Sequence, residues 1–213
     1  MSRPAGATSS RRCTRNEALS ERIGVFGGTF DPVHVGHLVA AVNARHAAAL
    51  DRVLIVVANE PWQKADRDVT PAEDRFAMVE AAVADVEGIE ASRIEIDRGG
   101  PSMTADTLAA LAGQHPGAEL FLIIGNDVAA QLDTWRRADE VKRLASLVVV
   151  SRAGSKKPAV GEDWRPTWVA IPALEISSTD LRERAADGRP LDYLIPTAAV
   201  HCIRERGLYA GAR

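Results

Sequence analysis

The stretch "RIGVFGGTFDPVHVGHLVAAV", residues 22–42, decides how this chain folds. It opens on a short apolar run, passes through the adjacent Gly27 and Gly28, and resumes after Pro32 as a helix-like segment carrying His34 and His37. A strand, a tight turn and a helix in direct succession form the first half of a βαβ unit. In an open α/β sheet the first such turn lies outside the carboxyl ends of the strands, where ligands bind. Gly27 and Gly28 permit a sharp turn and close approach of backbone to a ligand. Gly36 keeps one face of the helix N-terminus open, and the free N–H groups and dipole there favour an anion. His34 and His37 reach the same place, where imidazole donors can hydrogen-bond phosphoryl oxygens.

The remaining sequence repeats this alternation. Strand-like runs are expected at 22–26, 52–57, 92–97, 119–124, 146–151 and 167–171. Several are almost wholly apolar, as strands buried on both faces of a parallel sheet require. Helix-like segments fall at 35–50, 71–87, 104–113, 127–133 with 138–145, 179–187 and 197–206. Pro71 and Pro196 stand where helices begin, and Gly88, Gly188 and Gly207 where they end. The expected fold is α/β: a Rossmann-like open parallel sheet, helices on both faces, and a small helical extension at the C-terminus. Residues 22–213 form one domain, residues 1–21 a disordered or over-long tail, and 153–167 a surface loop.

Composition narrows the function. With 46% hydrophobic and 26% charged residues and a net charge of −3, the chain reads as a soluble globular protein without the basic bias of nucleic-acid binders. Its apolar runs are too short to span a bilayer. Cys13 and Cys202 match no metal-binding or redox spacing and read as free thiols in a reducing, cytoplasmic compartment. "GVFGGTFD" does not fit the GxGxxG dinucleotide fingerprint, and no GxxxxGK[ST] phosphate loop is present. No third ligand at a convincing spacing accompanies His34 and His37 for zinc.

A second string, "ISSTDLR" (176–182), supplies another helix N-terminus. Ser177 with Asp180 fits a capping box. Ser178 and Thr179 add hydroxyls, and Arg182 stands one turn in, a set suited to the β- and γ-phosphates of a nucleotide. The pair of strings resembles the HxGH and ISSTxxR signatures of the nucleotidylyltransferase superfamily. More narrowly, the chain from Arg22 to Tyr209 is similar to the nicotinate-nucleotide adenylyltransferases, in their actinobacterial branch.

That resemblance implies roles. Around ATP it places Gly27, Gly28, Thr29 and Phe30 of the first turn, together with His34 and His37. It adds Gly125 and Asp127 of "GNDVAAQLDTWRR", with Asp127 on the adenosine ribose, and Ile176, Ser177, Ser178, Thr179 and Arg182 of the second string. His34, His37 and Arg182 would carry the catalysis. Lys64 of "PWQK" would meet a phosphate of the second substrate, Trp135 would stack on its pyridine ring, and the N–H groups at Thr104 and Arg136 would hold its carboxylate. Met103 stands where the family's PSYT has tyrosine, and Trp62-Gln63 where it has proline and histidine. Arg75 either matches a family arginine or is a surface salt-bridging residue. The implied reaction joins ATP and nicotinate mononucleotide, with Mg²⁺ held through ATP phosphates and water and no metal site of the protein's own. No nucleic acid or membrane partner is implied, and a homo-oligomer stays open. Two alternatives remain: another acceptor in the same superfamily (nicotinamide mononucleotide or phosphopantetheine), and a non-catalytic nucleotide sensor.

Overall fold

The computed structural model describes residues 20–61 and 68–211. Six parallel strands form one sheet: β1 (Arg22–Gly28), β2 (Arg52–Val57), β3 (Ile89–Ser92), β4 (Glu119–Gly125), β5 (Ser146–Arg152) and β6 (Thr167–Ile171). Their order is β3-β2-β1-β4-β5-β6. Val25 pairs with Leu54 on one side and Leu122 on the other. The chain therefore leaves β1 at the point where the strand order reverses, which opens a crevice between β1 and β4.

The apolar strands divide their side chains by parity. Phe26, Ile55, Val57, Ile123, Val148 and Val150 face one core. On that side lie α1 (Val35–Ala47), α2 (Ala72–Val83) and α8 (Thr197–Glu205). Ile23, Val25, Leu54, Val56, Leu122 and Val149 face the other, against α4 (Thr104–Gln114) and α6 (Ala138–Leu144). Two sandwiched cores explain why these strands read as continuous apolar runs. The helices α7 (Ser178–Ala186) and α8 follow the last strand and make the expected C-terminal extension.

Two expectations need correction. Residues 92–97 are not a strand: β3 stops at Ser92 and Ile94–Arg98 is the short helix α3. The cause is local, since Arg93 pairs with Asp97 one helical turn on and Glu95 turns inward to Thr107. Edge strands are also commonly short. The helix expected at 127–133 breaks into α5 (Asn126–Ala129) and a 3-10 turn at Leu132–Thr134. The loop 153–167 lies at the surface as expected, with Trp164 near its end its only buried residue. The expected tail falls, for residues 1–19, outside the described residues, and so do Cys13, Trp62, Gln63 and Lys64. Among the described residues no helix is long and apolar enough to cross a membrane.

Candidate active site

The turn after β1 is built around Phe30. It adopts φ 51°, a left-handed conformation that an aromatic residue accepts only when its surroundings enforce it. Its ring is buried, packs edge-on to Phe26 at 5.8 Å, and meets the His37 ring at 4.9 Å. A Cβ on Gly28 would come within 2.7 Å of the Phe30 ring, so glycine is required there by packing. Phe30 lines neither cavity described below. It is the floor on which His37 rests.

The two histidines are stacked, with centroids 3.7 Å apart. The His34 N–H donates to His37 Nδ1 at 3.2 Å. Nδ1 is therefore an acceptor, and a neutral His37 carries its proton on Nε2, where it is a donor. His34 is itself buried, and burial lowers its pKa to about 4, so it is neutral at physiological pH. Its Nδ1 has no hydrogen-bond partner among the described residues. A Cβ on Gly36 would lie 3.0 Å from that nitrogen, so Gly36 makes room for the His34 ring. The glycine opens the helix N-terminus to histidine, not to bare backbone. The first helical N–H, that of Val35, is already engaged by the Leu194 carbonyl at 3.0 Å. An anion at this end of α1 thus meets imidazole more than peptide.

The second string lies against the first. Ser178 Oγ donates to the Pro32 carbonyl at 3.0 Å, and Arg182 donates to the Asp31 carbonyl at 2.7 Å. Ser177 caps α7 by accepting from the Asp180 N–H at 3.2 Å. The capping box is only half formed, because the Asp180 carboxylate turns to Arg184 at 2.7 Å. Ser178 is accordingly a strut between the two strings. Thr179 Oγ1 lies 3.4 Å from Arg182 on the exposed side.

Two cavities adjoin in the crevice. The larger, about 340 Å³, is mainly apolar and is lined by Gly27, Gly28 and Thr29 of the turn, with Thr104 at the start of α4, Trp135 and Arg136. The smaller, about 270 Å³, is lined by His34, His37, Asp127 and Ile176. Phe26 and Gly125 belong to both walls. The expected residues are thus brought together in two groups. The glycine turn falls on the Trp135 side, while the histidines, Asp127 and Ile176 share the other. Ser177, Ser178, Thr179 and Arg182 line neither cavity and border the site through Asp31 and Pro32.

Several site residues were not legible beforehand. Glu95 and Thr107 line the larger cavity, joined by a hydrogen bond, with Arg98 donating to the same hydroxyl at 3.2 Å. Ser102 also lines it, and Ser102 Oγ and Trp135 Nε1 are buried without partners among the described residues. Such atoms are costly unless an incoming group satisfies them. Arg152, at the carboxyl end of β5, lines the smaller cavity. Its position after an apolar strand was the available signal.

Arg75 resolves against the surface reading. It is 1% exposed, and its guanidinium donates to four carbonyls: Thr70 at 2.7 Å, Thr29 at 2.9 Å, Ala58 at 2.7 Å and Asn59 at 3.1 Å. It ties the first turn to both ends of the segment that contains residues 62–67. Burial lowers its pKa, opposed by the charge of Asp31.

Two adjoining pockets at the sheet's switch point, an imidazole pair and the string that carries Arg182 suit an enzyme that transfers a nucleotidyl group. The cytidylyltransferase-like family model matches residues 25–184. A protein of Corynebacterium kroppenstedtii named "probable nicotinate-nucleotide adenylyltransferase" is 46% identical over 193 residues, covering 88% of this chain and 90% of its own. A Streptomyces coelicolor protein of the same name is 46% identical over 186 residues, covering 87% and 99%. This chain belongs to the nicotinate-nucleotide adenylyltransferase family. The fold agrees with a solved structure, Plasmodium falciparum nicotinic acid mononucleotide adenylyltransferase complexed with NaAD. Its TM-score is 0.69 at 18% identity, with 89% of this chain and 97% of that one covered.

Proposed function

We propose that the protein transfers the adenylyl group of ATP to nicotinate mononucleotide, forming deamido-NAD and pyrophosphate in the cytoplasm. The observation that carries this reading is the pair of cavities meeting at Phe26 and Gly125, a more polar one lined by His34 and His37 and a mainly apolar one walled by Trp135. ATP occupies the polar one, with its ribose at Asp127 and its polyphosphate toward His34 and Arg182. The mononucleotide's ring lies against Trp135 in the other, its carboxylate at the N-terminus of α4 by Thr104 and at the Arg136 N–H. Lys64 is assigned to the mononucleotide phosphate.

The acceptor phosphate has a second pKa of about 6 and is largely dianionic at neutral pH, so no general base is needed. One of its oxygens attacks the α-phosphorus in line. The new P–O bond forms as the bond to the bridging α,β-oxygen breaks, and that electron pair leaves with pyrophosphate. His37 donates Nε2–H to the α-phosphate as charge builds there. His34, being neutral, contributes a hydrogen bond and no charge. Arg182 supplies the positive charge at the leaving group.

Among the described residues no group of three or more His, Cys, Asp or Glu is placed to hold a metal ion. The Asp31 carboxylate is already engaged by Tyr209. Mg²⁺ carried on ATP's own oxygens, beside Arg182, would supply further positive charge at the leaving pyrophosphate.

Incubation with Mg²⁺, ATP and nicotinate mononucleotide tests the reading. Pyrophosphate and deamido-NAD should appear in equal amounts. ATP bound without pyrophosphate release would leave a nucleotide sensor instead.

A further inference from the structure

The mechanism above uses Arg182 but not the groups that hold it. Arg182 donates to the backbone carbonyl of Asp31, a buried residue of the first turn. The Asp31 carboxylate in turn accepts a hydrogen bond of 2.6 Å from the Tyr209 hydroxyl, across 178 positions of sequence, and a longer one of 3.4 Å from the Thr70 N–H. Tyr209 stands after α8, at residues the reaction itself does not call on. Its ring packs against the α1–α2–α8 core and its hydroxyl also lies 3.8 Å from Met78 Sδ.

We propose that Tyr209 is a positioning residue for the polyphosphate site: its hydroxyl fixes the Asp31 carboxylate, and Asp31 through its carbonyl fixes Arg182. The inference rests on the reading that Arg182 meets the phosphates of ATP. Three features support it. The Tyr209–Asp31 bond is short, at 2.6 Å, and its acceptor Asp31 is buried, which favours a fixed geometry. Arg182 is half-buried with one nitrogen held at Asp31 and another beside Thr179, which leaves its remaining N–H groups aimed by these two anchors. Burial and the bond to Asp31 both raise the Tyr209 pKa, so the phenol stays a donor throughout the physiological range.

The chain of contacts makes a specific demand: Tyr209 should matter to ATP only while Arg182 is present. Calorimetric titration of MgATP, with no acceptor added, on the unmodified protein, Tyr209→Phe, Arg182→Ala and the double variant measures this coupling. Tyr209→Phe keeps the ring in its core, and thermal melting checks that the variant is folded. The expected result is about tenfold weaker ATP binding in Tyr209→Phe, the size of one charge-assisted hydrogen bond lost, and no further loss when the same change is added to Arg182→Ala. Equal losses in both backgrounds would overturn the proposal, as would unaltered binding in Tyr209→Phe or no ATP binding by the unmodified protein. A protein that shows the coupling yet adenylates no nicotinate mononucleotide would overturn the acceptor reading and leave this inference standing.

Discussion

Burial sets the charge of His34, and that has a consequence for pH. Its folded pKa of about 4 lies below the ordinary 6.5, so between these values the unfolded chain binds a proton there that the folded chain does not. Stability is therefore full above about 6.5 and falls as pH drops toward 4, by on the order of 3 kcal/mol from this group. Urea melts across that range should show the decline, and His34→Gln should flatten it. An unchanged slope would mean that His34 is not buried as a neutral ring. At His37 the argument concerns rate. His37→Ala should lower kcat by about 10²–10³, as for loss of one preorganised donor, with ATP affinity changed far less. Equal kcat in the variant would remove His37 from the chemistry. Trp135→Ala should raise KM for the mononucleotide more than for ATP, and the reverse ranking in steady-state kinetics would exchange the two pockets.

At the level of elements, the sequence placed the pieces and left their joints hidden. Strands β1, β2, β4 and β5 were legible because double burial writes itself as an apolar run, and edge strand β6, with only Val169 buried, from its short β-rich stretch alone. Edge strand β3 was not, because the clearer apolar alternation is Ile94–Ile96, out of phase with Ile89 and Ala91, and there the Arg93–Asp97 pair turns the chain into a helix. The start of α4 at Thr104 was legible as one of the helix-like segments alternating with the strands. Glu95 facing that helix was not, since nothing local says that a carboxylate points inward. Arg75 shows the limit most clearly. On a helix it reads as a surface charge, and only the fold shows four carbonyls converging on it from the first turn and the segment before α2. Arg75→Met should cost at least about 3 kcal/mol, because carbonyls paired with a charged donor are left buried and unsatisfied. Arg75→Lys should recover only part, as a point charge cannot serve the planar fan of acceptors. Denaturant midpoints check both. A cost under about 1 kcal/mol for Arg75→Met would show that the loops hold without it.

Across the whole molecule, the site is closed by contacts between distant parts of the chain. The sheet order puts β1 beside β4 and opens the crevice. The C-terminal extension then returns to the first turn: Leu194 caps α1, Arg182 and Ser178 grip Asp31 and Pro32, and Tyr209 holds the Asp31 carboxylate. Periodicity cannot reveal such pairings, which is why the sequence motifs pointed to the chemistry while the scaffold that aligns them came only from the fold. The division into two cavities carries the central claim, that this enzyme selects a pyridine mononucleotide bearing a carboxylate. A neutral amide gains less than an anion from the N-terminus of α4. The most direct measurement is the ratio of kcat/KM, by pyrophosphate release with MgATP, for nicotinate mononucleotide, nicotinamide mononucleotide and phosphopantetheine. The account predicts a clear preference for the nicotinate acid and no turnover of phosphopantetheine. Equal use of acid and amide would contradict the carboxylate pocket at Thr104 and Arg136, and turnover of phosphopantetheine would contradict the assignment of the Trp135 cavity altogether.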